Sequence, residues 1–240
     1  MEPDKSGSSS EEVVVQLREM IHRGELQRGD RLPPELLTLS DYEDAANTIV
    51  CYETVLVPGL LQTVEYMSAL MRQVPAIPGG ELAARIEARL KRQLILDRLY
   101  PAKFVFFLDE YTLGRVGAGR EIMSEQVHHL LRIAVRPHVE IRIIPNEVGF
   151  HAGQMPFQLM TFTELQPIVF IENETSVLFL ERPDTIGGYR RTVARLDNVA
   201  LDERRSREWL SALAAELGTP REEHDEHDAP LEKEFPHELS

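Results

Sequence analysis

The sequence contains a single cysteine, Cys51, and no apolar run approaching the ~20 residues needed to span a bilayer. One cysteine cannot form a disulfide or a cysteine-based zinc site within one chain, and its expected state is a buried free thiol. The N-terminus is polar and serine-rich and lacks the apolar stretch of a secretion signal. We therefore expect a cytoplasmic protein that does not bind membranes.

Positive charge is scarce, since 26 Lys and Arg stand against 40 Asp and Glu and give a net charge of −14. DNA binding depends on clustered Lys and Arg, and an acidic excess repels phosphates over a Debye length. Local exceptions are the arginine-rich clusters within residues 85–98 and 190–207. Such clusters are usually solvated or salt-bridged, and the functional alternative is an anionic partner, or orientation over DNA supplied by another protein.

The hydrophobic pattern predicts an α+β domain with a mixed sheet of about five strands packed with helices. Residues 103–108 form a continuous apolar run typical of a buried strand, and residues 139–144 alternate as another strand. A helix over residues 121–135 completes a parallel strand-helix-strand unit. The remaining predictions are an antiparallel meander over 157–162, 168–172 and 176–180, and helices over 40–52, 58–71, 81–99, 185–197 and 202–217.

Composition divides the chain into four parts. Residues 1–10 are polar and predicted to be disordered, and residues 11–36 form an N-terminal helical segment. Residues 37–218 are predicted to form the α+β regulatory or ligand-binding domain, and residues 219–240 an acidic disordered tail. Within the domain, the apolar face of the helix over 81–99 is predicted to consist of Leu82, Ile86, Leu90, Leu94 and Leu99.

Polar residues at strand ends and in loops are candidates for chemistry. Asp109 and Glu110 follow a predicted parallel strand, and the carboxyl ends of such strands line crevices in α/β sheets. The structural alternative is a helix cap or a salt bridge to a nearby arginine, Arg115 or Arg120. His151 lies in a loop between glycines, which let the backbone approach a ligand closely. A loop histidine is nevertheless more often structural or merely exposed.

Other patterns favour structural roles over cofactor or metal binding. Residues 117–120 form a glycine turn before a helix, but the lysine and spacing of a Walker loop are absent. His128 and His129 are adjacent and point to different faces of a helix, so they cannot readily share one ion. The tail histidines lie in a segment predicted to be disordered, which offers no fixed metal geometry. We therefore expect no metal site and no cofactor.

Residues 57–63 read Val-Pro-Gly-Leu-Leu-Gln-Thr and form an apolar turn that leads into a predicted helix. Pro58 has a fixed φ and no N–H group, which suits the first turn of a helix. On physical grounds alone this arrangement is ordinary core construction.

Two family resemblances meet in this chain. Residues 13–35 resemble the opening of a GntR-type winged helix, but the recognition helix and the wing that would follow are missing. From about residue 39 to 213, the sequence is similar to a domain of unknown function that usually lies behind a helix-turn-helix in antitoxin-like transcriptional regulators of actinobacteria. The matching residues are Glu43 with Ala46, 57–63, Tyr66, Arg89 with Arg92 and Gln93, 108–110, Gly117, Met123 with Gln126, 143–145, His151, Phe157 and Glu172.

This resemblance implies a regulatory or partner-binding role, often with a small companion protein, and it brings neither a reaction nor a ligand. Our first hypothesis is a non-enzymatic regulator that binds a partner protein or small ligand, forms a homodimer and associates with DNA only indirectly. Its expected binding residues are Leu60, Leu61, Gln62, Tyr66, Arg92, Gln93, Gln126, His151 and Phe157. The alternative is a small-molecule biosynthetic enzyme, with Asp109, Glu110, His151 and Glu172 as acid-base residues.

Overall fold

A six-stranded mixed sheet forms the centre of the computed structural model, which describes residues 39–73, 82–114, 117–172 and 176–219. The predicted disordered start, the winged-helix-like segment at 11–36 and the acidic tail from residue 220 onward lie outside the described residues. None of the helices in the described ranges combines the length and apolarity that a membrane crossing requires.

The described helices and strands alternate through the first part of the chain and then separate into a meander and two long helices. The strands are β1 (Thr48–Glu53), β2 (Lys103–Asp109), β3 (Val139–Ile144), β4 (Phe157–Thr161), β5 (Ile168–Glu172) and β6 (Val177–Leu180). The α-helices are α1 (Leu39–Ala45), α2 (Val64–Arg72), α3 (Leu82–Gln93), α4 (Glu110–Gly114), α5 (Arg120–Ile133), α6 (Pro183–Val199) and α7 (Glu203–Gly218). Single 3₁₀ turns lie at Gly59–Leu61, Leu94–Asp97 and Asn146–Val148.

The strand order is β3-β2-β1-β4-β5-β6, with β1, β2 and β3 parallel and the other pairings antiparallel. The predicted α+β class, the parallel strand-helix-strand unit and the meander are therefore confirmed. Because β5 runs in the same direction as β1, the carboxyl ends of β1, β2, β3 and β5 share one edge of the sheet. Glu53, Asp109 and Glu172 are the last residues of three of these strands and so lie along that edge.

The predicted count of about five strands is too low, because the sequence pattern predicts a helix over residues 40–52, where β1 lies. The helix ends at Ala45, and the four residues Ile49 to Tyr52 are buried on both faces of the sheet. A short, continuously apolar run has no period that separates a buried strand from a buried helix. Its position between two partner strands decides the conformation.

The sheet separates two apolar layers. One face carries Ile49, Cys51, Phe104 and Phe106 and is covered by α1, α2, α5 and α7. The other face carries Val50, Tyr52, Val105 and Phe107 and is covered by α6. Side chains therefore alternate between two separate environments along each central strand, as the pleat requires.

The helix predicted over residues 81–99 is shorter in the structure, and much of its apolar face is exposed. Helix α3 ends at Gln93 and buries no residue, and Leu90, Leu94 and Leu99 are 38%, 62% and 85% exposed. The helix packs chiefly on α2 and on neighbouring 3₁₀ turns, so its stripe does not reach the sheet. The 3₁₀ turn that follows α3 supplies the buried side chains, Ile95 and Leu96.

Candidate functional site

The segment of residues 57–63 is held in place by side-chain amides. Gln62 donates from Nε2 to the Val57 carbonyl at 2.7 Å, closing the segment on itself. Gln93 donates to the Gly59 and Gln62 carbonyls, both at 2.9 Å. These bonds pair backbone carbonyls that lie outside the helices and strands. They hold residues 57–63 in one conformation.

Gln126 of α5 fastens the same segment from the other side. Its Nε2 donates to the Leu61 carbonyl at 2.7 Å, and its Oε1 accepts the Thr63 N–H at 2.8 Å. Thr63 then caps α2 by accepting the Tyr66 N–H. Leu60, Leu61, Tyr66 and Gln126 are all buried, so these predicted binding residues form the frame of the site.

Replacing Gln126 by leucine is expected to lower the free energy of unfolding by about 2 kcal/mol, because two buried backbone groups lose their partner while the volume is nearly kept. Urea denaturation followed by circular dichroism measures the change. The control is Gln73→Leu, at the exposed end of α2, which should change the free energy of unfolding little. Equal effects of the two substitutions would contradict the clamping role of Gln126.

A buried ion pair lies next to the 57–63 segment. Arg92 of α3 binds Glu43 of α1 through two parallel bonds of 2.5 Å and 2.7 Å, and the Glu43 side chain is fully buried. Gln158 of β4 donates a further bond to the same carboxylate at 2.7 Å. A bidentate pair with a third donor is a rigid geometry, and it ties α1, α3 and the sheet together.

A cavity of about 730 Å³ lies between the 57–63 segment, α3 and the edge of the sheet at β1, β4 and β5. The volume falls within the range of small-molecule sites. Apolar lining includes Val57, Leu60, Phe106 and Phe170, and the polar lining is Cys51, Glu53, Gln62, Arg85, Arg89, Arg92, Gln158 and Glu172. Arg89 donates to Gln62 Oε1 at 2.7 Å. Gln62, which holds the 57–63 segment, therefore also orients the Arg89 guanidinium at the cavity.

Glu53 has the most unusual environment of the carboxylates in this cavity. Burial raises its pKa from 4.5 to about 7, the charge of Glu172 adds to the rise, and Arg92 opposes it. Glu53 is not among the residues predicted for the site, because the sequence pattern predicts a helix over residues 40–52 and therefore no strand that ends at Glu53. Glu53 directly follows an apolar run. The same position after an apolar run identified Asp109 as a candidate, so it could also have identified Glu53.

A second polar cluster lies on the opposite face of the sheet. His151 Nε2 is 2.9 Å from the Tyr52 hydroxyl and 4.0 Å from Asp109 Oδ2. The Tyr52 hydroxyl also donates to the Gly153 carbonyl at 3.2 Å. These bonds fasten the loop before β4 onto the sheet.

Gly153 lies directly against the Tyr52 ring, and a Cβ at this position would overlap the ring and come within 2.7 Å of its hydroxyl. Tyr52 is fully buried and cannot move aside. Gly153→Ala is therefore expected to lower the free energy of unfolding by about 1–3 kcal/mol. In thermal denaturation, the control Gly187→Ala in α6, where the new Cβ meets only an ordinary contact with Arg191, should be neutral or stabilising. A neutral Gly153→Ala would show that the loop is not fastened as described.

The structure places the predicted acid-base residues in two separate groups. Glu53 pairs in register with Leu108, so Asp109, the next residue, points to the other face. Glu172 lines the cavity, whereas His151 and Asp109 lie in the cluster around Tyr52. Asp109 accepts the Tyr111 N–H, and Glu110 accepts the Asn146 N–H at 2.9 Å, so both carboxylates take part in turn and loop structure.

The predicted binding residues divide in the same way. Gln62, Arg92, Leu60 and Phe157 line the cavity. Gln93, Gln126, Leu61 and Tyr66 support its wall from behind. Within the described residues, no three His, Cys, Asp or Glu side chains are grouped to hold a metal ion. Cys51 is buried at the floor, and burial raises the pKa of its thiol.

Comparison with known proteins identifies a family for this chain. The family model described as Domain of unknown function (DUF5753) matches residues 36–212, which is well over half of the chain, so the chain belongs to this family. No curated protein and no solved structure matches the chain.

Proposed function

We propose that this member of the DUF5753 family is a non-enzymatic regulatory protein whose α+β domain binds a small organic molecule in the cavity beside α3. The observation that carries the proposal is the cavity of about 730 Å³, which combines apolar walls with a few charged side chains. Small-molecule sites have this composition, because apolar walls supply affinity and a few polar groups fix orientation.

The location of the cavity supports the same function. It lies where β1 has a parallel neighbour on one side and an antiparallel neighbour on the other, at the edge formed by strand carboxyl ends. Ligands of open α/β sheets bind outside such ends. Leu60 and Leu61 are 3% and 0% exposed, so these two leucines present little apolar surface to a protein partner. The 57–63 segment instead forms one side of the cavity.

The test is a thermal-shift screen of a metabolite library against two matched tryptophan variants. Ala88 lines the cavity from α3, and Ala84, one turn earlier, does not. A compound bound in the cavity stabilises the wild type and Ala84→Trp but not Ala88→Trp, which fills the site. If no compound stabilises the wild type, or if Ala88→Trp responds equally, the cavity is not the binding site.

The regulatory part of the proposal rests on the family resemblance and on sequence. A companion protein, a homodimer and indirect association with DNA are expected of the antitoxin-like regulators that the domain resembles. The chain has a net charge of −14, which disfavours autonomous DNA binding. An electrophoretic shift of its own upstream DNA that requires a second, co-expressed polypeptide is the result expected; a shift by the purified protein alone would contradict indirect binding.

An enzymatic function is the second candidate, favoured by one observation. A carboxyl group with a pKa of about 7, as in Glu53, can donate and accept protons at neutral pH. The residue that would carry the chemistry is Glu53, together with Glu172 on the same face. A library compound that is converted by the wild type, but only bound by Glu53→Gln, would favour the enzyme; unchanged recovery of every bound compound favours the regulator.

A further inference from the structure

We infer that the cavity beside α3 recognises a small amphipathic zwitterion, with an ammonium group at Glu53 and Glu172, an anionic group at Arg89 and an apolar body against Phe170. The inference deepens the proposed ligand-binding function and rests on it. It names the class of ligand by the charges that the sheet edge and α3 contribute to one cavity.

The wall formed by the sheet edge is negative. Glu53 ends β1 and Glu172 ends β5, and both side chains line the cavity. Among the described residues, neither carboxylate forms a hydrogen bond or an ion pair, and the two repel each other. An ammonium group between them would relieve this repulsion and supply the missing donors.

The wall formed by α3 is positive. Arg89 is half-buried, and within the described ranges its guanidinium has one partner, the neutral amide of Gln62. Burial and the neighbouring Arg92 lower its pKa, Glu172 counteracts them, and Arg85 lowers it further, so Arg89 lies within the field of Glu172. Arg92 is already neutralised by Glu43. An anionic oxygen is thus the ligand group that Arg89 lacks.

The two walls together select a dipolar ligand over a simple ion. A cation alone would leave Arg89 without a charged partner, and an anion alone would leave the Glu53–Glu172 repulsion in place. Phe170 belongs to the apolar lining and keeps 8% of its surface exposed, so its ring can contact the apolar body of a ligand. A compound with both charges on one apolar frame satisfies every group.

The experiment uses two sets of matched probes and isothermal titration calorimetry on the full chain. Phenylalanine, phenethylamine and 3-phenylpropanoate share one frame and differ only in charge; tryptophan, tryptamine and indole-3-propanoate form the larger set. We expect the zwitterion of at least one set to bind about tenfold more tightly than both singly charged probes, the usual gain from one charge-assisted bond. Binding of the ammonium probes near pH 7 should release protons from the Glu53 carboxyl. This proton release should be absent in Glu53→Gln.

Two cavity variants assign each charge to its wall. Glu53→Gln should weaken the zwitterion and the amine but not the carboxylate probe, and Arg89→Gln should weaken the zwitterion and the carboxylate probe but not the amine. Arg98→Gln, which alters an arginine paired with Asp44 outside the cavity lining, is the control and should affect none. These variants leave the Glu43–Arg92 pair intact, so loss of fold does not explain the pattern.

The outcomes separate this inference from the function on which it rests. Tightest binding by a singly charged probe overturns the zwitterion and leaves the cavity as a binding site. If none of the six probes binds, but library compounds still stabilise Ala84→Trp and not Ala88→Trp, the zwitterion is likewise overturned and the cavity remains a binding site. Failure of both the probes and the library overturns the ligand-binding function itself.

Discussion

Replacing Arg92 by alanine is expected to lower the free energy of unfolding by about 3–5 kcal/mol, the cost of leaving one partner of a buried ion pair unpaired. Glu43 has a fully buried side chain, and without Arg92 its carboxylate keeps only the Gln158 amide. The substitution also removes the link between α1, α3 and the sheet. Chemical denaturation followed by circular dichroism and tryptophan fluorescence measures the change.

The same helix supplies the control. Lys91 forms an exposed pair with Glu87, and both side chains are about two-thirds solvent-accessible or more, at 71% and 66%. Lys91→Ala should therefore cost less than about 0.5 kcal/mol. The double variant Glu43→Gln with Arg92→Leu should recover part of the loss, because the unpaired buried charge is gone. A double variant no more stable than Arg92→Ala alone would contradict this electrostatic origin.

Glu53→Gln is expected to remove a pH dependence of stability on the order of 3 kcal/mol, the free energy that corresponds to raising the pKa of Glu53 from 4.5 to about 7. Below pH 4.5 the carboxyl is neutral in both the folded and the unfolded chain. Between pH 4.5 and about 7 the unfolded chain releases the proton while the folded protein holds it. Stability contributed by this group is thus complete at acid pH and lost as pH rises through the folded pKa.

The measurement is the difference in free energy of unfolding between the wild type and Glu53→Gln at a series of pH values. Other titrating groups are common to both proteins and cancel in the difference. The variant should become increasingly more stable than the wild type from pH 5 to about pH 8. A difference that stays constant over this interval would show that Glu53 ionises normally. The control is Glu65→Gln, which removes an exposed carboxylate at the start of α2. Its difference in free energy of unfolding from the wild type should stay nearly constant over this interval.

The sheet was largely predictable from sequence, because the strands β2 to β6 carry clear apolar runs between turns. Strand β1 was not, since residues 49–52 are buried on both faces and follow a helix without a strong break. This one misassignment concealed Glu53, because a carboxylate can be recognised as a strand-end residue only when its strand is known. The true length of α3 was hidden too, as its leucine stripe continues past Gln93 into the 3₁₀ turn.

The division of the candidate site between two faces could not be predicted either. Asp109 and Glu172 both end strands at one edge, and only the pairing register shows that they point to opposite sides. The glutamines at 62, 93 and 126 were predicted as binding residues because of the family resemblance. The bonds of Gln93 and Gln126 to backbone carbonyls span 31 to 65 residues of sequence and depend on tertiary structure that no local pattern contains.

The most direct test of the cavity as a ligand site is native mass spectrometry of the protein purified gently from its own cells, with Ala88→Trp purified in parallel. The wild type is predicted to carry an added mass of a few hundred daltons, on the scale of a ligand that fits such a cavity. Ala88→Trp is predicted to lack it. A wild-type protein of unmodified mass, or one accompanied only by a polypeptide that Ala88→Trp retains, would contradict the account.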